Sequence, residues 1–173
     1  MRRNIEIKVR LKDIEAMTRR VRAIVGGEPE VLNHEDVYFA VGHGRLKLRI
    51  IDGKLGQLIG YRRPDETAPK MSQYHLFEID KPDEMRALLE STHSIRCIVK
   101  KTRVVYMSGR TRIHIDDVAG LGHFLELEAV MAENEADDTQ ARHEIADLMD
   151  VLEIEQEDLV GRSYVDLCSE LSK

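Results

Sequence analysis

The chain is predicted to be an α+β protein, mainly antiparallel β, whose strands close into a barrel around a polar bore with amphipathic helices packed outside. Three observations predict it. The runs Asn4-Ile5-Glu6-Ile7-Lys8-Val9-Arg10 and Gly44-Arg45-Leu46-Lys47-Leu48-Arg49 alternate apolar residues with charged or polar ones, and a strand sends alternate side chains to opposite faces. The pattern recurs in at least four segments, and its charged face carries both signs. Glycine turns join the segments closely, as in antiparallel meanders. A half-buried strand would turn such a face to water, whereas strands lining a shared bore turn it inward. Closure also removes the exposed edges that invite aggregation.

Taken in order, the first strand runs from Asn4 to Leu11. Asp13 is placed to cap a helix whose apolar residues Ile14, Met17, Val21 and Val25 recur at helical spacing, and Gly26-Gly27 stops it. Asp36–Val41 reads as a strand, and Gly42-His43-Gly44 turns the chain into Arg45–Ile51. Asp52-Gly53 is a hairpin signal. Gly56–Arg63 is a further strand, and Pro64–Lys70 a loop. Tyr74–Ile79 is extended, Pro82 suits the first turn of a helix, and Met85, Leu88 and Leu89 form its stripe. Ile95–Val99, Lys101–Met107, Arg110–Val118 and Phe124–Met131 complete the strands. A helix follows with Ala141, Ile145, Leu148, Met149 and Leu152 on its buried side. Ser163–Leu167 starts a last short helix. No internal repeat stands out.

With 173 residues, 42% hydrophobic and 34% charged, the chain suits one domain, 1–173, with a real core. The net charge of −6 argues against nucleic-acid binding but leaves room for a local basic cavity. No segment has the length of apolar sequence a membrane span needs. Cys97 and Cys168 have no metal-ligand spacing and read as two reduced thiols in a cytoplasmic protein.

Parity lists what such a bore would hold: Asn4, Glu6 and Lys8; Arg45, Lys47 and Arg49; Arg63, with Arg62 pointing away; Lys101 and Arg103; Arg112, His114 and Asp116; Glu126 and Glu128. Burying so many unpaired charges would prevent folding unless water, counter-ions or ligand compensate. Arg and Lys suit phosphate oxygens, and carboxylates beside a phosphate call for a bridging divalent cation. Oxygen ligands without a Cys cluster favour Mg²⁺ or Mn²⁺ over Zn²⁺. The inventory fits a triphosphate with its metal better than a sugar, peptide or lipid.

These residues carry a resemblance. Asn4-x-Glu6-x-Lys8, Glu35-Asp36-Val37-Tyr38-Phe39, Arg45–Arg49, Tyr61-Arg62-Arg63-Pro64, Lys101-Thr102-Arg103, Arg112–Asp116, Gly120–Glu128 and Arg162–Leu167 occur in order along almost the whole chain. The chain resembles the CYTH superfamily, the triphosphate tunnel metalloenzymes, and within it most closely the class IV adenylyl cyclase branch. The resemblance implies a tunnel barrel of about eight antiparallel strands that binds a triphosphate small molecule with divalent metal, Mg²⁺ or Mn²⁺. It implies metal ligation by Glu6, Glu126 and Glu128, phosphate binding by Lys8, Arg45, Lys47, Arg49, Arg63, Lys101, Arg103 and Arg112, and Asp116 as metal ligand or orienter of the nucleophile. Glu6, Lys8, Asp116 and Glu126 would then be catalytic. Glu78 is a weaker candidate, in or out of register. His114 reads as a hydrogen-bonded structural histidine; His34, His43, His75, His93 and His143 carry no motif.

The family signature has Glu where this chain has Asn4, which leaves a carbonyl oxygen without charge. His123 replaces a common Asp in a turn. Cyclisation of ATP to cyclic AMP and pyrophosphate is the first functional expectation. Hydrolysis of an inorganic or organic triphosphate uses the same machinery and is the alternative. A binding module without turnover, and a structural barrel whose charges all face water, are the remaining classes. A monomer or homodimer is expected.

Overall fold

The alternating segments pair into one closed sheet. In the computed structural model, which describes residues 1–171, the strands are β1 (Arg2–Leu11), β2 (Glu30–Phe39), β3 (Arg45–Ile51), β4 (Leu55–Arg62), β5 (Lys70–Ile79), β6 (Ile95–Ser108), β7 (Thr111–Val118) and β8 (Gly122–Met131). All neighbours are antiparallel, and the barrel closes in the order β1-β5-β4-β3-β2-β6-β7-β8. The helices are α1 (Ile14–Ile24), α2 (Pro82–Thr92), α3 (Thr139–Val151) and α4 (Tyr164–Leu171), with a 3₁₀ turn at Gln156–Asp158.

Local chemistry sets the boundaries. The Asp13 side chain accepts from the Ala16 backbone N–H at 2.8 Å and starts α1. Asp52 and Gly53 both take positive φ, 49° and 69°, and Lys54 N–H donates to the Ile51 carbonyl at 3.0 Å. That is the tight hairpin turn whose twist matches its flanking strands. β2, β5 and β6 run well beyond what the alternation suggests. β5 begins at Lys70 rather than Tyr74, since β1 pairs with residues 70–74. β2 begins at Glu30 rather than Asp36, because the ladder to β6 carries the extended backbone through Val31 and Leu32, where alternation fails. The two segments expected on either side of Lys100 form one strand, β6.

The outward faces of β1, β7 and β8 bury Ile5, Ile7, Val9, Ile113, Ile115, Leu125 and Leu127 against Met17 and Val21 of α1 and Ala141 and Ile145 of α3. Val37, Phe39, Leu48 and Ile50 of β2 and β3 pack on Leu89 of α2. The hydrophobic layer therefore lies outside the barrel and frees the inside for polar groups. No helix among the described residues is long and apolar enough to cross a membrane.

The expectation of two reduced thiols is overturned: Cys97 and Cys168 form a disulfide, Cα atoms 6.5 Å apart, which ties α4 to β6. The cysteines are 71 residues apart in sequence, so only the fold brings them together. Cys97 has inward parity at the end of the barrel that α4 covers.

Leu127, fully buried between sheet and helices, tests the outer layer. Leu127→Ala is expected to lower unfolding free energy by about 2–5 kcal/mol, read by urea titration. A loss below about 1 kcal/mol would mean that the helices do not seal this face.

Candidate active site in the barrel bore

Alternate residues on each strand point away from the helical layer. Followed from the end covered by α4, the inward positions are Tyr38, Asp36, His34 and Leu32 on β2, and Val99, Lys101, Arg103, Val105 and Met107 on β6. On β7 they are Val118, Asp116, His114 and Arg112; on β8, Phe124, Glu126 and Glu128; on β1, Lys8, Glu6, Asn4 and Arg2. The covered end is apolar: Tyr38, Cys97, Val99, Val118 and Phe124 cluster with Tyr164 and Val165 of α4. Charged residues fill the middle, and Leu32, Ile51, Leu76, Val105 and Met107 join the lining further out. The cavity they enclose has a volume of about 430 Å³, so the barrel is neither filled with hydrocarbon nor charged only on its outside.

The Lys-x-Arg runs of β3 and β6 are each fastened to an aspartate on a neighbouring strand by the same bonds. Asp36 Oδ1 accepts from Arg49 Nε at 2.7 Å, and its Oδ2 accepts from Arg49 Nη2 and Lys47 Nζ at 2.9 and 2.8 Å. Asp116 Oδ1 accepts from Arg103 Nε at 2.7 Å, and its Oδ2 from Arg103 Nη2 and Lys101 Nζ at 2.6 and 2.9 Å. The Tyr164 hydroxyl donates to Asp116 Oδ2 at 2.8 Å. Both aspartates are fully buried. Burial alone would raise their pKa values; the adjacent Arg and Lys charges outweigh it and hold both low. Each aspartate thus fixes an arginine and a lysine side chain in place before any ligand arrives, the kind of preorganisation on which electrostatic catalysis depends. Burial, then the Arg49 charge, pushes Lys47 down to about 7. Since that lies below the unfolded-state value of 10.5, folding disfavours charged Lys47 at low pH, and the penalty lifts as pH rises from about 7 towards 10.5.

β1 and β8 are neighbours, and the closed order puts them half-way round the barrel from β2 and β3. This wall is acidic. Register pairs Glu6 with Glu128, and pairs Glu126 with both Lys8 and His114. Lys8 Nζ donates to Glu126 Oε1 at 2.6 Å, Arg103 donates to Glu126 Oε2, and Arg63 donates to Glu6 Oε1. Burial raises the Glu6 pKa; Arg63 opposes this, while Glu128 and Glu126 add to it. Glu126 stays well below the usual carboxylate range, since Lys8 and Arg103 outweigh its burial. Tyr164 forms the floor, with Lys8 Nζ 3.2 Å from its ring centroid.

Glu6, Lys8, Lys47, Arg49, Arg63, Lys101, Arg103, Arg112, Glu126 and Glu128 all line the cavity; Asp116 and Arg45 do not. Asp116, expected to hold metal or orient a nucleophile, lies beneath the wall with both oxygens occupied by Lys101, Arg103 and Tyr164. Arg45 shares parity with Lys47 but stands at the covered end, where it donates to Asp65 at 2.7 Å and Asp166 at 2.9 Å. It therefore fastens α4 and the 63–69 loop. Glu78 has inward parity opposite Gln57 and is exposed where it meets the cavity. His114 is not the satisfied structural histidine expected: its buried Nδ1 has no partner among the described residues. Asp36 and His34 received no role from sequence, although with Tyr38 they alternate along one strand face. His34 is buried, both its ring nitrogens are without a hydrogen-bond partner among the described residues, and burial, then Arg49 and Arg103, lowers its pKa to about 2.

The CYTH domain profile matches residues 2–164. The chain belongs to the CYTH family. Among CYTH relatives, the adenylate cyclase CyaB of Aeromonas hydrophila is 28% identical over 177 residues, spanning 96% of this chain and 88% of that protein. The PH1012 structure from Pyrococcus horikoshii superposes with a TM-score of 0.84 at 22% identity, covering 95% of this chain and 98% of that one. The Hippeastrum protein HpAC1, described as having a dominant triphosphatase activity, superposes with a TM-score of 0.67 at 14% identity over 100% and 97% of the two chains. At these identities the two structures speak for a shared CYTH fold alone.

In this CYTH bore, Asp116→Asn removes the charge that compensates Lys101 and Arg103. The substitution is expected to cost about 3–5 kcal/mol of stability, as breaking a buried pair does, measured by urea unfolding. A cost below about 1 kcal/mol would mean that solvent already neutralises the clamp.

Proposed function

We propose that the bore binds a triphosphate with a divalent cation and that the chain is a class IV type adenylyl cyclase, converting ATP to cyclic AMP and pyrophosphate. The observation that carries this reading is the doubled clamp. Asp36 holds Lys47 and Arg49, and Asp116 holds Lys101 and Arg103, so two preset Lys–Arg pairs converge on the cavity that Glu6, Glu126 and Glu128 line, the first across from these acids and the second reaching Glu126 through Arg103. Each clamp arginine spends Nε and Nη2 on its aspartate, which fixes the guanidinium plane toward the cavity. Arg63 and Lys8 add charge at the acidic wall.

Glu126 and Glu128, with Glu6 beside them, are the residues that would hold Mg²⁺ or Mn²⁺. Such an ion would neutralise phosphate charge and polarise the phosphoryl oxygens. The unpartnered buried Asn4 Oδ1 and His114 Nδ1 beside these acids fit a bound cation. In the cyclase reaction the ribose 3′-hydroxyl attacks the α-phosphorus, the bond to the bridging oxygen breaks, pyrophosphate leaves, and the hydroxyl proton passes to solvent. The clamps act by position and charge, which suffices for much of phosphoryl-transfer catalysis. The apolar side chains of Leu32, Ile51, Leu76, Val105 and Met107 give an organic group a surface that a bare polyphosphate would not need. The name of the Aeromonas hydrophila relative agrees with this choice.

Hydrolysis of the terminal phosphoryl group is the second reading. It uses the same clamps with water as nucleophile, and HpAC1, whose described activity is of this kind, shares the fold. Product analysis separates the two. Incubation of ATP with Mg²⁺ or Mn²⁺ is expected to yield cyclic AMP and pyrophosphate. ADP and phosphate, or phosphate from tripolyphosphate alone, would replace the cyclase reading with the hydrolase. Glu126→Gln is expected to lower turnover by roughly 10²-fold or more with the far-UV circular dichroism unchanged; undiminished turnover would remove Glu126 from the site.

Lys47 gives a pH signature. In the empty bore its pKa is about 7, and an adjacent polyphosphate favours its charged form. Tripolyphosphate binding near pH 8 is expected to take up protons, with affinity falling as pH rises further. Calorimetry in two buffers of different ionisation enthalpy reads the proton count, and identical heats would exclude Lys47 from the phosphate contacts.

A further inference from the structure

The donors on the acidic wall are not all oxygen. His114 is 4% exposed and faces the cavity, and its Nδ1 has no hydrogen-bond partner among the described residues. That nitrogen stands 3.8 Å from Glu126 Oε2 and 3.9 Å from Glu128 Oε1. Buried polar atoms are normally satisfied, and both distances are too long for a hydrogen bond. If Nδ1 carries the proton, it has no acceptor in reach. If it carries the lone pair, it faces two carboxylates whose nearest cations, Arg103 on Glu126 and Arg112 by Glu128, make no bond to it. A metal cation resolves this second arrangement, in which Nδ1 is free to donate its lone pair.

The spacing agrees. One donor atom from each of His114, Glu126 and Glu128 lies within 4.8 Å of the other two. Ligands that each sit roughly 2.0–2.6 Å from a shared ion are roughly 3–5 Å from one another, so these three need little movement. Asn4 brings a further buried, unpartnered acceptor, Oδ1, to the same cavity. Its neutral carbonyl adds an oxygen donor without adding charge.

We infer that His114 Nδ1 is a metal ligand, and that with Glu126 and Glu128 it makes a mixed nitrogen–oxygen centre selecting Mn²⁺ over Mg²⁺. Carboxylate and water ligands suit Mg²⁺ and Mn²⁺ alike, whereas an imidazole suits transition ions and not the hard Mg²⁺ ion. The inference rests on the reading of the bore as a metal-dependent triphosphate site, and it names that site's metal preference.

The test uses the full chain, stripped of metal and free of nucleotide. Titration with Mn²⁺, with free ion counted by electron paramagnetic resonance, is compared with Mg²⁺ titration by calorimetry. The electron spin echo of bound Mn²⁺ reports any coordinated nitrogen. The wild-type chain is expected to bind Mn²⁺ roughly tenfold or more tightly than Mg²⁺, with imidazole nitrogen modulation on the echo. His114→Gln, which keeps size and polarity, is expected to lose the modulation and most of the preference while Mg²⁺ affinity stays within about threefold. His114→Ala provides the same comparison if the glutamine variant misfolds by circular dichroism. Bound Mn²⁺ without nitrogen modulation, or an Mn²⁺-to-Mg²⁺ ratio unchanged by both substitutions, overturns the assignment. Turnover of ATP and tripolyphosphate is followed separately. A wild-type chain that turns over substrate but shows no nitrogen modulation defeats only this inference, whereas nitrogen modulation in a wild-type chain without turnover on either substrate defeats the enzymatic reading instead.

Discussion

Charge withdrawn from water must find opposite charge nearby, and the barrel interior is organised around that requirement. Removing one partner of a buried pair costs several kcal/mol, so a bore of lysines and arginines can exist only with carboxylates placed to match. Cross-strand register supplies them. Asp36 stands directly opposite Arg49, Asp116 opposite Arg103, and Glu126 opposite Lys8. The bonds that let the cations be buried also orient them, so stability and preorganisation have one cause here. The cavity is consequently less anion-dependent than composition suggests, because its own acids compensate much of the charge.

Which side chains face inward was legible from the sequence, since parity needs only the strand period. Depth along the bore was not. Arg45 and Lys47 share a face, yet one braces α4 and the other lines the cavity, because depth depends on register between strands distant in sequence. The same limit hid the role of Asp116, whose position under Lys101 and Arg103 depends on β6 pairing with β7. Asp36 escaped notice although it follows from the same parity. The two clamps also run in opposite chain order, aspartate before Lys-x-Arg on β2 and β3 and after it on β6 and β7. A search for internal repeats in one direction therefore passes over them. The cysteine pair and the single-strand character of β6 likewise follow from long-range contacts.

The inside-out arrangement of the core matters to the chemistry. Packing of helices on the outer faces of β1, β7, β8, β2 and β3 supplies the apolar burial, so the interior need not contribute hydrocarbon except at the end covered by α4. The acidic strands β1 and β8 lie under α1 and α3, and their outward residues are among the most deeply buried in the chain. The wall that would hold a metal is thus built on the best-anchored strands.

Tyr164 lies far from the first strand in sequence, yet its hydroxyl completes the Asp116 clamp and its ring supports Lys8. The floor of the pocket thus comes from one end of the described chain and the lysine it supports from the other, so the cavity is complete only where β1, β7 and α4 meet.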